Sequence, residues 1–175
     1  MFATIYLPNF YLQAAMRHQP GLCAKPVALI EEQEKKPVVI QLNAVAEKAA
    51  ICKGMTPSQV LARSLQVVIK VRARMQEKSI QEMLLHYAFT LSPFVEGTAP
   101  GICTLQFTAC RNLSEKVCRV IEQLAECEIR AQAAVAPTSD SSFLAAHLAR
   151  PVLQIENAKE FLALLPIETL AIAAT

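Results

Sequence analysis

Short apolar runs closed by proline or glycine, alternating with stretches whose apolar residues recur at three- and four-residue steps, constrain this sequence most strongly. Phe2 to Leu7 predicts a buried strand stopped by Pro8, and Phe10 to Arg17 suits a short helix. Pro26 to Ile30 and Pro37 to Leu42 are β-branched runs, each opened by a proline, with the charged segment Glu31 to Lys36 between them as a hairpin turn. A helix is expected from Asn43 to Ala50, ending before Gly54. Thr56 followed by Pro57 opens another, reaching Arg63, with a capping hydroxyl and a proline at its first position. Gln66 to Val71 reads as a strand, and Arg74 to Phe89 as the longest helix, with Ile80, Met83, Leu84 and Tyr87 on one face. Strands Ser92 to Glu96 and Ile102 to Thr108 follow, joined by 97–101. Leu113 to Ala125 has the spacing of an amphipathic helix through Val117, Val120, Ile121 and Leu124. Ile129 to Val135 alternates as a strand, Ser141 to Ala149 reads as a helix ending before Pro151, and 157–171 as helix or loop.

This order is α+β without an internal repeat. Its block from Ser92 to Val135, with the first strand, predicts a ferredoxin-like sheet carrying helices on one face, and 43–63 a small inserted helical lobe. At 175 residues the chain can bury ~70% of its unfolded surface, enough for one core or two small lobes. Seventeen Lys and Arg against 15 Asp and Glu give a net charge of +2, which excludes a strongly basic nucleic-acid arm and an acidic tail. No apolar run approaches the ~18 residues of a membrane span, and the N-terminus lacks a signal peptide's basic start, so a cytoplasmic protein is expected. Cys23, Cys52, Cys103, Cys110, Cys118 and Cys127 are scattered without metal-ligand spacing, and buried free thiols are expected.

Few generic motifs carry chemistry. With glycine only at 21, 54, 97 and 101, no phosphate-cradling loop exists. His18, His86 and His147 lie far apart, and His86 reads as a structural histidine of an amphipathic helix. Lys70, Arg72 and Arg74 alternate as a basic stripe that could meet a phosphate backbone or protect a solvated strand edge. Glu96 follows an apolar strand beside Gly97.

Several landmarks nevertheless stand in a recognisable order: 5–20, 26–30, 43–61 with Gly54-Met55-Thr56-Pro57, Ser92-Pro93-Phe94-Val95-Glu96, 105–108 and 144–151. In that order the chain resembles the palm and fingers of Y-family translesion DNA polymerases, most of all the ImuB type of bacterial mutagenesis cassettes. The resemblance implies a palm of 1–25 and 66–154, a fingers-like insertion of 26–65, and the start of a thumb at 155–175. In active members the first strand carries a metal-binding Asp, a second acidic position two residues later and an aromatic steric gate five residues later. Here those positions are Tyr6, Pro8 and Tyr11. The family's further Asp-Glu metal pair corresponds to Gly101 and Ile102, and the fingers Tyr and Arg that clamp the triphosphate correspond to Ala44 and Glu47. What survives of the nucleotide pocket is Phe10, Tyr11 and Arg150, the last in place of a phosphate-facing Lys.

Two-metal phosphoryl transfer needs hard cations held by carboxylates. Tyr6, Gly101 and Ile102 offer none, so the resemblance implies a catalytically inactive, nucleotidyltransferase-like homologue without a metal or cofactor, acting as a scaffold in SOS-type DNA repair. Implied partners of a longer protein are the β sliding clamp, a RecA-like accessory protein and an error-prone replicative-type polymerase; DNA binding is expected to be weak at +2. Two alternatives stay open. One is an active polymerase using Mg²⁺ through unusual ligation, with Glu96 recruited; the other is a generic α+β interaction module, which would not need strands 2–7 and 102–108 to lie side by side. A composition of 53% hydrophobic against 18% charged residues also predicts a partly uncovered surface and self-association.

Overall fold

The computed structural model describes residues 1–31, 36–108 and 112–169. In chain order the elements are β1 (Phe2–Tyr6), α1 (Phe10–Met16), β2 (Val27–Ile30), β3 (Val39–Leu42), α2 (Ala44–Lys48), α3 (Pro57–Arg63), β4 (Val68–Val71) and α4 (Arg74–Leu91). They continue with β5 (Phe94–Ala99), β6 (Ile102–Gln106), α5 (Leu113–Glu126), β7 (Gln132–Ala136), α6 (Ser139–Leu148), β8 (Val152–Gln154) and α7 (Ala158–Ala163). The chain divides into two compact units, residues 1–8 with 81 onward, and residues 9–80.

The first unit is built on a five-stranded sheet of order β5-β6-β1-β7-β8. Strands β5, β6, β1 and β7 pair antiparallel, in the β-α-β-β-α-β arrangement of ferredoxin-like folds, and β8 adds in parallel to β7. Period-two alternation places Ala3, Ile5 and Leu7 on one face and Thr4 and Tyr6 on the other. Helix α5 buries Leu113, Val117, Val120, Ile121 and Leu124, the expected stripe with one residue added. The hydroxyl of Ser114 on α5 bonds the Gln154 side chain, which lies opposite Val135 on the Ile5 face. Helix α6 lies over the Thr4 and Tyr6 face, where Ala145 and Ala146 pack with Ala134, Ala136 and Ile155 and with Phe161 of α7. Helices thus cover both faces at the β7 end.

The second unit centres on β2, every residue of which is buried. It pairs antiparallel with β3 and parallel with β4, giving the order β3-β2-β4. Val27 and Leu29 pack with Leu12 of α1 on one side. Ala28 and Ile30 pack with Val39, Leu42, Ala46, Ile51 and Val60 on the other, so the continuous apolar run is explained by burial on both faces. Asn43 joins two elements: its Oδ1 accepts from Ala46 N at the start of α2 (2.9 Å) and from Val27 N (3.0 Å). Thr56 caps α3 in a reciprocal capping box with Gln59, as the Thr-Pro signal predicts.

The compact units part after Pro8 and Ile80. Strand pairing is the reason: α1 packs on β2, and β4 hydrogen-bonds to β2, so both belong with β2. Several expectations are corrected. The strand at 92–96 extends to Ala99, leaving only Pro100-Gly101 as the connection to β6. Strand β8 was not expected. Of the five described cysteines only Cys103 is buried, where burial pushes its thiol up to about 12; Cys23 and Cys52 are exposed and Cys118 and Cys127 half-buried. The turn expected within Glu31 to Lys36, Cys110 and the tail beyond 169 lie, wholly or in large part, outside the described residues.

Candidate functional site

At the end of β1 the strand register sets Tyr6 directly opposite Ile102 of β6 and Gln132 of β7. Leu7 N donates to Gly101 O (2.8 Å), so three of the positions singled out in the sequence, Tyr6, Gly101 and Ile102, come together at one end of the sheet. Gly101 occupies a tight turn with φ 75°, in the left-handed region that costs a residue bearing a side chain about 1 kcal/mol or more. Its N–H donates to Gln81 Oε1 (2.7 Å).

Tyr6 does not face an open cleft. Its ring stacks on His147 of α6 with centroids 4.1 Å apart and planes 29° apart, and Phe143, one helical turn earlier, meets His147 at 4.8 Å in a tilted arrangement. His147 Nδ1 lies 2.9 Å from Phe143 O, which can only accept, so Nδ1 carries the proton. Burial pulls the imidazole below its ordinary pKa, outweighing that hydrogen bond, and pushes the Tyr6 phenol above the usual range. At neutral pH all three positions and their neighbour His147 are therefore uncharged. Beside them runs a row of hydroxyls across the same face: Thr98 to Thr104 (2.9 Å), Thr104 to Thr4 (3.3 Å), Thr4 to Ser142 (2.8 Å), with Ser142 donating to Ser139 O (2.7 Å). These bonds satisfy Thr4 and Ser142, both fully buried.

A divalent cation fits this set of donors poorly. A neutral phenol, an imidazole and an isoleucine supply no hard anionic ligand. Glu96 is exposed on the edge strand β5, opposite Thr104, two residues along β6 from Ile102. Among the described residues no group of three or more His, Cys, Asp or Glu is placed to hold a metal. Pro8 is half-buried and offers no ligand. Arg150 is exposed and its Nη1 donates to the neighbouring Ala149 O (2.8 Å).

The second unit holds the remaining candidates. Phe10 is buried in α1, and its ring meets Tyr11 edge-on at 5.3 Å. The Arg72 guanidinium lies over the Tyr11 ring, 3.9 Å from its centroid. The same guanidinium donates from Nε and Nη2 to the two oxygens of Glu77 (2.9 and 2.5 Å) and from Nη1 to Glu31 (2.8 Å). Hydrogen bonding to Glu77 holds Arg72 above its ordinary pKa against the opposing effect of burial, and Glu31 adds to it. Arg74 also donates to Glu31 (3.2 Å), and Lys70 to Gln19 (2.8 Å). The basic stripe is thus not a stripe: Arg72 lies beyond the end of β4, and all three cations have partners within the unit. Ala44 and Glu47 are exposed on α2, with Glu47 in its first turn, where a negative charge suits the helix end. His86 is exposed, its ring edge against Tyr87 at 5.9 Å, and is not a core histidine.

Sequence reading missed His147, Phe143, Thr4, Ser142 and the carboxylate partners of Arg72. Phe143 and His147 carried a usable signal in their four-residue spacing on an expected helix. Glu31, distant in sequence from Arg72, carried none.

The model of the impB/mucB/samB family matches residues 5–147. Among solved structures, a post-insertion binary complex of Dbh DNA polymerase superposes with a TM-score of 0.85 at 17% identity, covering 96% of this chain and 52% of that one. An insertion ternary complex of Dbh DNA polymerase gives 0.83 at 15% identity, covering 96% and 53%. DinB from Sulfolobus solfataricus gives 0.82 at 16% identity, covering 96% and 52%. The chain therefore spans about half the length of the structures it matches, and at such identities the likeness establishes the fold. No curated protein matches the sequence significantly. Pairing of β1 with β6 and the family match together dispose of an accidental α+β module.

Proposed function

The chain belongs to the impB/mucB/samB family, and from that membership and the uncharged end of β1 we propose that it is a non-catalytic Y-family polymerase homologue, a scaffold in DNA damage tolerance of the ImuB type. The observation that carries the proposal is Tyr6 stacked on His147 and set opposite Ile102, at the positions where active members hold metal with carboxylates. An aromatic pair in that place excludes the hard anionic ligands that phosphoryl transfer needs. Support also comes from Tyr11, whose ring is covered by Arg72, and from Ala44 and Glu47, which give a triphosphate nothing to bind and, at Glu47, a like charge.

As a scaffold the protein works by holding partners in the cytoplasm: the β sliding clamp, a RecA-like accessory protein and an error-prone replicative-type polymerase. DNA binding by this part is weak, because a net charge of +2 neutralises few phosphates. Exposed Leu65, Met75, Leu164 and Ile167, each more than three-quarters solvent-accessible, favour self-association of the isolated chain. No helix among the described residues is long and apolar enough to cross a membrane. The test is a pull-down with the full-length protein, probed for clamp and polymerase together. Joint recovery is expected; recovery of neither would end the scaffold reading.

A further inference from the structure

Helix α6 meets the first strand at two points, Thr4 with Ser142 and Tyr6 with His147. Thr4 and Tyr6 lie on one face of β1, about 7 Å apart along the strand. Their partners on α6 are about 7.5 Å apart along the helix, so the two spacings match. Elsewhere little fixes the register of this seam. Where α6 meets β7 the packed residues are alanines on both sides, Ala145 and Ala146 against Ala134 and Ala136. Flat methyl surfaces slide past one another more readily than interdigitated side chains do. A buried polar pair in such a seam specifies one register, at some cost in stability.

We propose that Ser142 is the positioning residue for this end of β1: its bond to Thr4 fixes the register of α6 and so holds His147 against Tyr6. The direction of the hydroxyl row supports that role. Ser142 Oγ gives its one proton to Ser139 O (2.7 Å), so toward Thr4 it accepts (2.8 Å). Thr4, its proton spent on Ser142, accepts in turn from Thr104 (3.3 Å). Each hydroxyl of the pair therefore donates once and accepts once, and both residues are fully buried, out of reach of water that could replace a lost partner. A slide of α6 by one turn brings Ala145 or Ala146 opposite Thr4, and neither offers a donor or an acceptor on its side chain. The inference rests on the reading of this end of β1 as a closed former metal position, and names the residue that keeps it closed.

Proton NMR of the 175-residue chain reads the contact directly. His147 ring signals, assigned by their loss in His147→Phe, should show cross-relaxation to the Tyr6 ring and an upfield displacement relative to the exposed His18. In Ser142→Ala the cross-relaxation should vanish and most of the displacement with it, because Thr4 is left without its acceptor and α6 can shift. Thr4→Val combined with Ser142→Ala removes both hydroxyls together, so much of the lost melting temperature should return. The Tyr6–His147 contact should stay lost in that double variant, which separates register from stability. Circular dichroism establishes folding, and if Ser142→Ala does not fold the double variant decides. Three results overturn the proposal: the contact intact in Ser142→Ala, restored in the double variant, or absent from the parent protein. Only the last would also remove the observation behind the proposed function. The measurement involves neither DNA nor a partner, so a failed pull-down and a failed positioning role are separate results.

Discussion

The end of β1 and the Tyr11–Arg72 cluster both leave little charge available to a ligand, and they do so in opposite ways. At β1 the charges themselves are gone: Tyr6, Gly101 and Ile102 are uncharged, and His147, which stacks on Tyr6, is held neutral by burial. In the second unit charges abound but are spent on one another, with Arg72 shared between Glu77, Glu31 and the face of Tyr11. The first region is held by aromatic packing and buried hydroxyl bonds. The second is an ion-pair network whose members are costly to remove one at a time.

Removing Arg72 should have the largest effect. Arg72→Ala leaves Glu77, whose side chain is 9% exposed, without its cation and Glu31 with only the exposed Arg74, and a loss of about 3 kcal/mol in urea denaturation is expected. Arg72→Lys restores the charge but not the two-nitrogen grip on Glu77, so it should recover only part of that loss. A loss below about 1 kcal/mol for the alanine variant would mean that the network contributes no more than an ordinary surface pair.

The β1 region predicts a smaller, pH-dependent effect. Because burial lowers the His147 pKa in the folded state, the unfolded chain takes up the proton first. Stability is therefore unaffected well above the ordinary value near 6.5, falls as pH drops below it, and levels off below the lowered folded value. His147→Phe keeps an aromatic surface for Tyr6 and removes the titration, so the fall below pH ~6.5 should flatten relative to the parent. Equal slopes in the two proteins would show that His147 titrates the same in both states.

The two regions also differ in how far the sequence disclosed them. β1 and β6 were legible as apolar runs bounded by Pro8, Gly101 and Thr108, but that Tyr6 and Ile102 belong together was implied only by the family resemblance, and it is the strand register that sets them opposite each other. Thr56-Pro57 likewise announced α3, since capping is local chemistry. Arg72 misled because its partner Glu31 is distant in sequence, and nothing local distinguishes a cation that will be neutralised from one that meets solvent. Strand β8 escaped notice because it is three residues long and becomes a strand only by pairing with β7. The exposed Cys23 and Cys52 show the limit of residue-type averages: each sits in a short loop or turn that no strand or helix buries.

The central claim, that the end of β1 no longer supports metal-dependent synthesis, is tested most directly by primer extension with the full-length protein in Mg²⁺ or Mn²⁺. The parent protein should give no templated product. Tyr6→Asp, Gly101→Asp and Ile102→Glu together should also give none, because Gly101 sits at a left-handed turn and Ala44 and Glu47 still leave a triphosphate unclamped. Templated synthesis by the parent protein that disappears in Glu96→Ala would contradict the claim outright.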